Sequence, residues 1–304
     1  MPERFRDLNA YLRQRFGCRV QKITVDAGLS CPNRDGTLAT GGCLYCNPKG
    51  SGSGAHARGM TITEQLRQGI PILARRYKAK KFLAYFQSFS NTYAPVPTLK
   101  RLYEEALAVK EIVGMSIGTR PDCITTAVLD LLEGYARTHL VWIEYGLQTA
   151  KDATLKLLNR GHDVACFTDA VRASQGRGLK ICAHVILGLP GETRTDMIAT
   201  ADYLRQVGID GVKLHLLYII KGTGLERLYR TGGYRCLEPA EYAELVCDVL
   251  ERLPADAVIH RLTSDPHPDE LVAPAWALDK NETRKIIRSR LESRDTWQGK
   301  LAEI

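Results

Sequence analysis

Apolar positions along this 304-residue chain fall into a repeated pattern. A short apolar run is followed by a turn, then by a stretch whose apolar residues recur every three or four positions. Residues 3–16 read as an amphipathic helix, with Phe5, Leu8, Leu12 and Phe16 at helical spacing. Val20 to Asp26 alternates as a strand. Thr61 or Thr63 caps a helix over about 63–80, with Glu64 three residues after Thr61. Strands are then predicted at 82–88, 112–118, 141–147, 179–187 and 211–218. Helices follow them to about 111, to about 136, near 151–158 and 164–177, from 194 to about 207, and over about 239–252.

Six strand-then-helix units with short connections predict an α/β fold with a parallel sheet. Right-handed crossovers curl such a sheet into an open, TIM-like (β/α)6 barrel, with chemistry at the C-terminal strand ends. After 253 the pattern changes. Residues 257–262 offer a candidate seventh strand, followed by the turn-rich stretch from Thr263 to Asp269, then Trp276 and a basic helix near 281–292. The expected organisation is a helical segment at 1–19, a core at 20–253 and an extension at 254–304 suited to substrate contacts. No internal repeat or low-complexity stretch interrupts it.

Composition narrows the class. No apolar run approaches the roughly 18 residues that cross a bilayer, and the first residues lack a signal-peptide core. A cytoplasmic protein without a membrane partner is expected. Nine cysteines in a reducing compartment then argue against a disulfide framework. A formal charge of +8 and a pI near 9.0 suit an anionic partner. Basic residues concentrate at Arg75 to Lys81 and Arg284 to Arg290, as a nucleic-acid contact or as solvated helix faces.

The chemistry is concentrated in residues 31–54. Cys31, Cys43 and Cys46 stand in a Cys-x11-Cys-x2-Cys spacing, in a stretch with six glycines and two prolines that cannot form a regular helix or strand. A closed zinc site needs four ligands, and only His56 is near enough to be the fourth. Three thiolates suit a 4Fe-4S cluster whose fourth iron stays open to a ligand. The loop, with Tyr45 just before Cys46 and Gly-Ser-Gly-Ser-Gly at 50–54, resembles that of radical S-adenosylmethionine (SAM) enzymes. Its longer spacing is similar to the Elongator-catalytic-subunit-like group and its short YtqA/YhcC-like branch. The resemblance runs from Cys31 to about Arg261 and implies a partial barrel, a 4Fe-4S cluster on the three cysteines and SAM on the open iron. An electron from the cluster would then split SAM into a 5′-deoxyadenosyl radical.

Gln87 and Ser88, in the Elongator-like stretch Tyr85 to Pro95, stand where the resemblance implies that the SAM amino group is held; alternatively, Gln87 only caps the end of its strand. Glu144 lies in an apolar run, where a carboxylate must be paired or hydrogen-bonded. It either binds SAM or substrate, or forms a structural ion pair with Arg120 or Lys213. Glu144 to Thr149 and Asn159-Arg-Gly-His162 both resemble the Elongator-like group. Gly188 opens the Gly-Leu-Pro-Gly turn after the fifth strand, where the superfamily's backbone packs against adenine. Tyr45 is a further candidate for cofactor contact. Polar residues at alternating positions share a face, so His184, Lys213, His215 and His260 are expected to form a polar chamber or to be hydrogen-bonded core residues. Tyr45, Phe89, Tyr93, Tyr218 and Trp276 are expected near the rim, to stack bases or to close the mouth.

The resemblance implies tRNA wobble-uridine modification. A 5-carboxymethylaminomethyl-(2-thio)uridine would lose its carboxymethyl part to leave 5-aminomethyl-(2-thio)uridine. The adenosyl radical would take hydrogen from the glycine-derived methylene, and oxidation plus hydrolysis would release the fragment. Implied partners are the tRNA anticodon stem-loop and an electron donor such as flavodoxin or ferredoxin. The chain has no room for an acetyltransferase or cobalamin domain and no second cysteine triplet. Two alternatives stay open: a radical SAM enzyme acting on a peptide or small metabolite, and a zinc-containing RNA-binding protein.

Overall fold

A computed structural model describes residues 4–47, 50, 52 and 54–302. Ser51 and Ser53 of the glycine–serine run lie outside these residues. Strands β1 (Val20–Val25), β2 (Lys81–Phe86), β3 (Ile112–Thr119), β4 (Leu140–Gln148), β5 (Lys180–Leu187) and β6 (Gly211–Leu216) lie side by side in chain order, all parallel. After β6 the chain makes the short strand β7 (Ile219–Ile220), then β8 (Val258–Arg261), which returns to the sheet parallel to β6. The candidate seventh strand is therefore a member of a seven-stranded, curled half-barrel. β7 pairs antiparallel with β9 (Leu271–Ala273) in a small second sheet that periodicity does not reveal, because two or three residues carry no readable period.

Ten helices are described. α1 (Leu8–Phe16) precedes β1, α2 (Ile62–Tyr77) precedes β2, and α3 (Val96–Leu107) and α4 (Thr126–Ala136) follow β2 and β3. α5 (Asp152–Leu157) and α6 (Val164–Ser174) follow β4, and α7 (Arg194–Val207) follows β5. α8 (Gly224–Arg230) and α9 (Pro239–Arg252) separate β7 from β8, and α10 (Lys280–Ser293) packs on α9. Thr61, not Thr63, caps α2, in a reciprocal capping box with Glu64.

β4 shows why a strand without an obvious polar face still sorts its side chains. All nine residues are buried, as expected of a central parallel strand covered on both sides. Val141, Ile143, Tyr145 and Leu147 face outward into the main core under the helices. Leu140 and Trp142 face inward, packing with Leu12, Val20, Leu83, Cys182 and Val258 into an apolar plug. α1 closes that end of the barrel through Leu12, with Leu8, Tyr11 and Phe16 beside it. The period of two then puts Glu144 and Gly146 above the plug, on the barrel's inner face.

Candidate active site

The cysteine loop leaves β1 at the C-terminal rim, over a cavity of about 230 Å³ that Cys31, Cys43 and Cys46 all line. The loop is tied across the sheet by distant groups. Asn33 Nδ2 donates to the carbonyls of Asn159 (2.6 Å) and Arg160 (3.1 Å), Leu44 N donates to Leu158 O (3.0 Å), and Arg34 donates to the carbonyls of Cys46 and Asn47. Inside the loop, Cys46 N donates to Cys43 O at 3.0 Å.

Beneath the cysteines the inner face is polar. Glu144, 1 % exposed, forms ion pairs with Lys22 of β1 and with Lys213 of β6 (3.3 Å), and meets His184 Nε2 at 2.8 Å. His260 Nδ1 lies 3.1 Å from Lys22 Nζ and 3.7 Å from Glu144. Burial pushes the Glu144 carboxyl up, but Lys22 and Lys213 outweigh it and hold the group well below the usual carboxylate range. Burial lowers Lys213 to about 8, against the pull of Glu144. Burial also keeps His184 and His260 uncharged, at about 4 and about 3, and His215 well below its ordinary value. Lys213 Nζ donates to Tyr85 OH at 2.6 Å, so its ammonium is held from two sides.

The expected chamber therefore forms from His184, Lys213 and His215, which line the cavity with Glu144. His260 does not line it; its ring stands edge-on to Trp142 at 4.3 Å, in the floor. Of the two partners considered for Glu144, Lys213 is present. Arg120 instead holds Asp122 in a two-pronged pair, at 2.8 and 2.7 Å. Tyr45 lines the cavity, its hydroxyl accepting from Arg160 at 3.3 Å. Gln87 lines it just past β2, accepting from Thr24 Oγ1 at 3.4 Å. Ser88 and Gly188 do not line it. Ser88 is buried beside the rim, and Gly188 is covered by Tyr234, whose hydroxyl donates to its carbonyl at 2.7 Å. Phe89 and Tyr218 are at the cavity wall. Tyr93 is turned to Thr37, 2.8 Å away, and Trp276 packs on Tyr242 with Nε1 donating to Leu237 O.

Three residues given no role from the sequence complete the site. Lys22 shares the inward face of β1 with Val20, a signal visible in the alternation of that strand. Arg160 reaches Cys43 Sγ at 3.2 Å from the Asn-Arg-Gly-His turn. Arg261, the last residue of β8, lines the cavity, and its side chain makes no hydrogen bond or ion pair among the described residues. Arg75 to Lys81 lies away from the cavity, because the end of α2 feeds the start of β2 at the opposite rim.

Does this donor set fit an iron–sulfur cluster? Burial, with Cys43 close by, pushes the Cys46 thiol up, a cost that a bound cation removes. Arg34, Arg120 and Arg160 line the same cavity, and Arg120 Nη1 is buried without a partner among the described residues, as expected where an anionic group belongs. Glu144, Cys182 and His184 also offer ligand atoms within 4.8 Å of one another. That set fits metal poorly: two lysines already hold the carboxylate, and burial raises the Cys182 thiol well above its ordinary value.

The half-barrel with its cysteine-lined mouth defines a radical SAM enzyme, and the chain belongs to that superfamily: residues 36–204 match the Radical SAM superfamily and 209–293 the radical SAM C-terminal domain. Within it, the chain is 39 % identical over 298 residues to YtqA of Bacillus subtilis, covering 98 % of this chain and 92 % of that protein. It is 40 % identical over 266 residues to YhcC of Escherichia coli K12, covering 87 % and 85 %. Its fold is similar to the archaeal Methanocaldococcus infernus Elp3 with its N-terminus deleted, at a TM-score of 0.67 and 17 % identity, covering 92 % of this chain and 64 % of that one. The family uses a 4Fe-4S cluster and SAM, which sets aside the zinc-loop alternative, and its members need an electron donor. No helix of the described residues is long and apolar enough to cross a membrane.

The buried chamber makes stability pH-dependent. Glu144, His184 and His260 all bind protons more weakly in the folded chain than in the unfolded one. As pH falls from the ordinary histidine value of 6.5 toward 4, the unfolded chain takes up more protons and gains on the folded one. Thermal melts are expected to show a loss on the order of several kcal/mol across this window. An unchanged melting temperature between pH 6.5 and 4 would contradict uncharged imidazoles here.

Proposed function

We propose that this enzyme acts in the cytoplasm on the wobble uridine of the tRNA anticodon stem-loop. It converts 5-carboxymethylaminomethyl-(2-thio)uridine to the 5-aminomethyl form, drawing its electron from a flavodoxin- or ferredoxin-type donor. When bound on Cys31, Cys43 and Cys46, the cluster and SAM supply the 5′-deoxyadenosyl radical. The observation that carries the substrate reading is Arg261: a guanidinium at the cavity wall without a partner among the described residues suits a carboxylate brought by the substrate. Lys213 adds charge to the same cavity. His215 also lines it, with Nε2 free of any partner among the described residues. Held uncharged by burial and by the cations beside it, His215 offers the substrate a hydrogen bond rather than a base for its proton. Phe89 and Tyr218 offer faces on which a flipped base can stack, worth about 1–3 kcal/mol per base. Tyr45, Gln87 and Glu144 are the proposed SAM contacts in the cavity.

Cluster-loaded protein is to be incubated with SAM, a reductant and tRNA carrying the carboxymethylaminomethyl group, with the nucleosides then read by mass. Formation of the aminomethyl nucleoside is expected; turnover of a peptide or metabolite but not of tRNA would overturn the reading. In Arg261→Met, KM for the tRNA should rise at least about tenfold, the scale of one lost charge-assisted hydrogen bond. SAM cleavage without tRNA should stay unchanged.

A further inference from the structure

We propose that Arg160 is a positioning residue that raises the reduction potential of the cluster through Cys43. The inference rests on the cluster sitting on Cys31, Cys43 and Cys46. Arg160 is 6 % exposed and pairs with no carboxylate among the described residues. Its Nη1 donates to Cys43 Sγ at 3.2 Å and to Tyr45 OH at 3.3 Å. Its Nη2 donates to Gly146 O at 2.8 Å and lies 3.1 Å from His162 Nε2. A guanidinium so buried is costly unless an anion is near, and Cys43 sulfur is the group it touches that can carry negative charge.

The backbone is shaped for this reach. Arg160 is flanked by Asn159 at φ 54° and Gly161 at φ 70°, a left-handed pair that turns the chain back from α5 toward the cysteine loop. Gly146 leaves the space open, since a Cβ there would lie 3.0 Å from Arg160 Nη2. Cys43 sulfur also has Asn33 Nδ2 3.6 Å away, held by the carbonyls of residues 159 and 160. Cys46 has its own cation nearby in Arg34, but its Sγ donates to Asn47 O. Two N–H groups, one of them on a buried guanidinium, therefore reach Cys43 sulfur directly.

Reduction adds one electron, taken from the external one-electron donor, and makes the cluster and its thiolates more negative. Hydrogen bonds to sulfur and a fixed positive charge favour that state. The test is a dithionite titration of reconstituted protein with redox mediators, without SAM, followed by electron paramagnetic resonance of the reduced cluster. Arg160→Gln should lower the reduction equilibrium at least tenfold, about 59 mV for one electron. Arg160→Lys should fall between it and the native protein, and Asn33→Ala should shift the same way by less. An Arg160→Gln variant with native iron content and circular dichroism but unchanged potential overturns the proposal. So does one that keeps its potential and loses only SAM affinity. If Arg160→Gln cannot hold iron, Asn33→Ala decides, an unshifted potential again overturning it. Iron retained in Cys43→Ser would instead show that the ligand assignment is at fault.

Discussion

Serine in place of Cys43 is expected to strip the protein of its cluster and bring 5′-deoxyadenosine formation to background. The three sulfurs line one cavity mouth, and with three protein ligands there is no spare to replace a lost one. Serine keeps the size of the side chain but offers a hydroxyl that holds its proton at neutral pH, so the change removes a ligand more than it disturbs packing. Cys31→Ser and Cys46→Ser should behave alike. Cys182→Ser is the informative contrast, because Cys182 lies in the apolar plug and in the rival metal-ligand group with Glu144 and His184. It should retain iron per chain, the visible cluster absorbance and SAM cleavage. Iron lost with Cys182 but kept without Cys43 would move the metal to the barrel interior.

Glu144→Gln is expected to cost the fold about 3–5 kcal/mol, the range for breaking a buried ion pair from one side. The amide keeps the shape but leaves Lys213, 7 % exposed at its side chain, without its counter-charge, while Lys22 can reach water more easily. For a chain of this length the melting temperature should fall by roughly 10 °C. Removing the stranded ammonium as well, in Glu144→Gln/Lys213→Met, should recover much of that loss, a non-additive result expected of residues in direct contact. The sign of the pH response follows. Without Glu144 the folded chain favours neutral Lys213 while the unfolded chain keeps its lysine charged; the native value of about 8 includes the upward pull of Glu144, so the single variant should gain stability with rising pH from below 8. A single variant as stable as the native protein, measured by thermal melts at pH 7, would show that the pair carries no structural weight.

Several parts of this site are legible in the sequence alone. The spacing of Cys31, Cys43 and Cys46 is a local property of the chain. So is the alternation that puts His184, Lys213 and His215 on inward faces of β5 and β6. Glu144 stands out in the sequence because a lone carboxylate in an apolar strand demands a partner. What it could not name was Lys22, 122 residues away, because that pairing depends on β1 curling round to face β4. Trp276 illustrates the same gap: an aromatic residue reads alike whether it stacks a base or, as here, packs on Tyr242.

Strand identity, strand order and the cysteine loop were set by short-range periodicity and spacing, which a linear chain displays directly. Sheet curvature and register decided the rest. They brought Arg160 to Cys43 across 117 residues, left the Arg261 side chain at the wall without a partner among the described residues, sank His260 into the floor and added β8 to the sheet. Such contacts join residues far apart along the chain, and their energies depend on the shared enclosure that folding creates rather than on any local pattern.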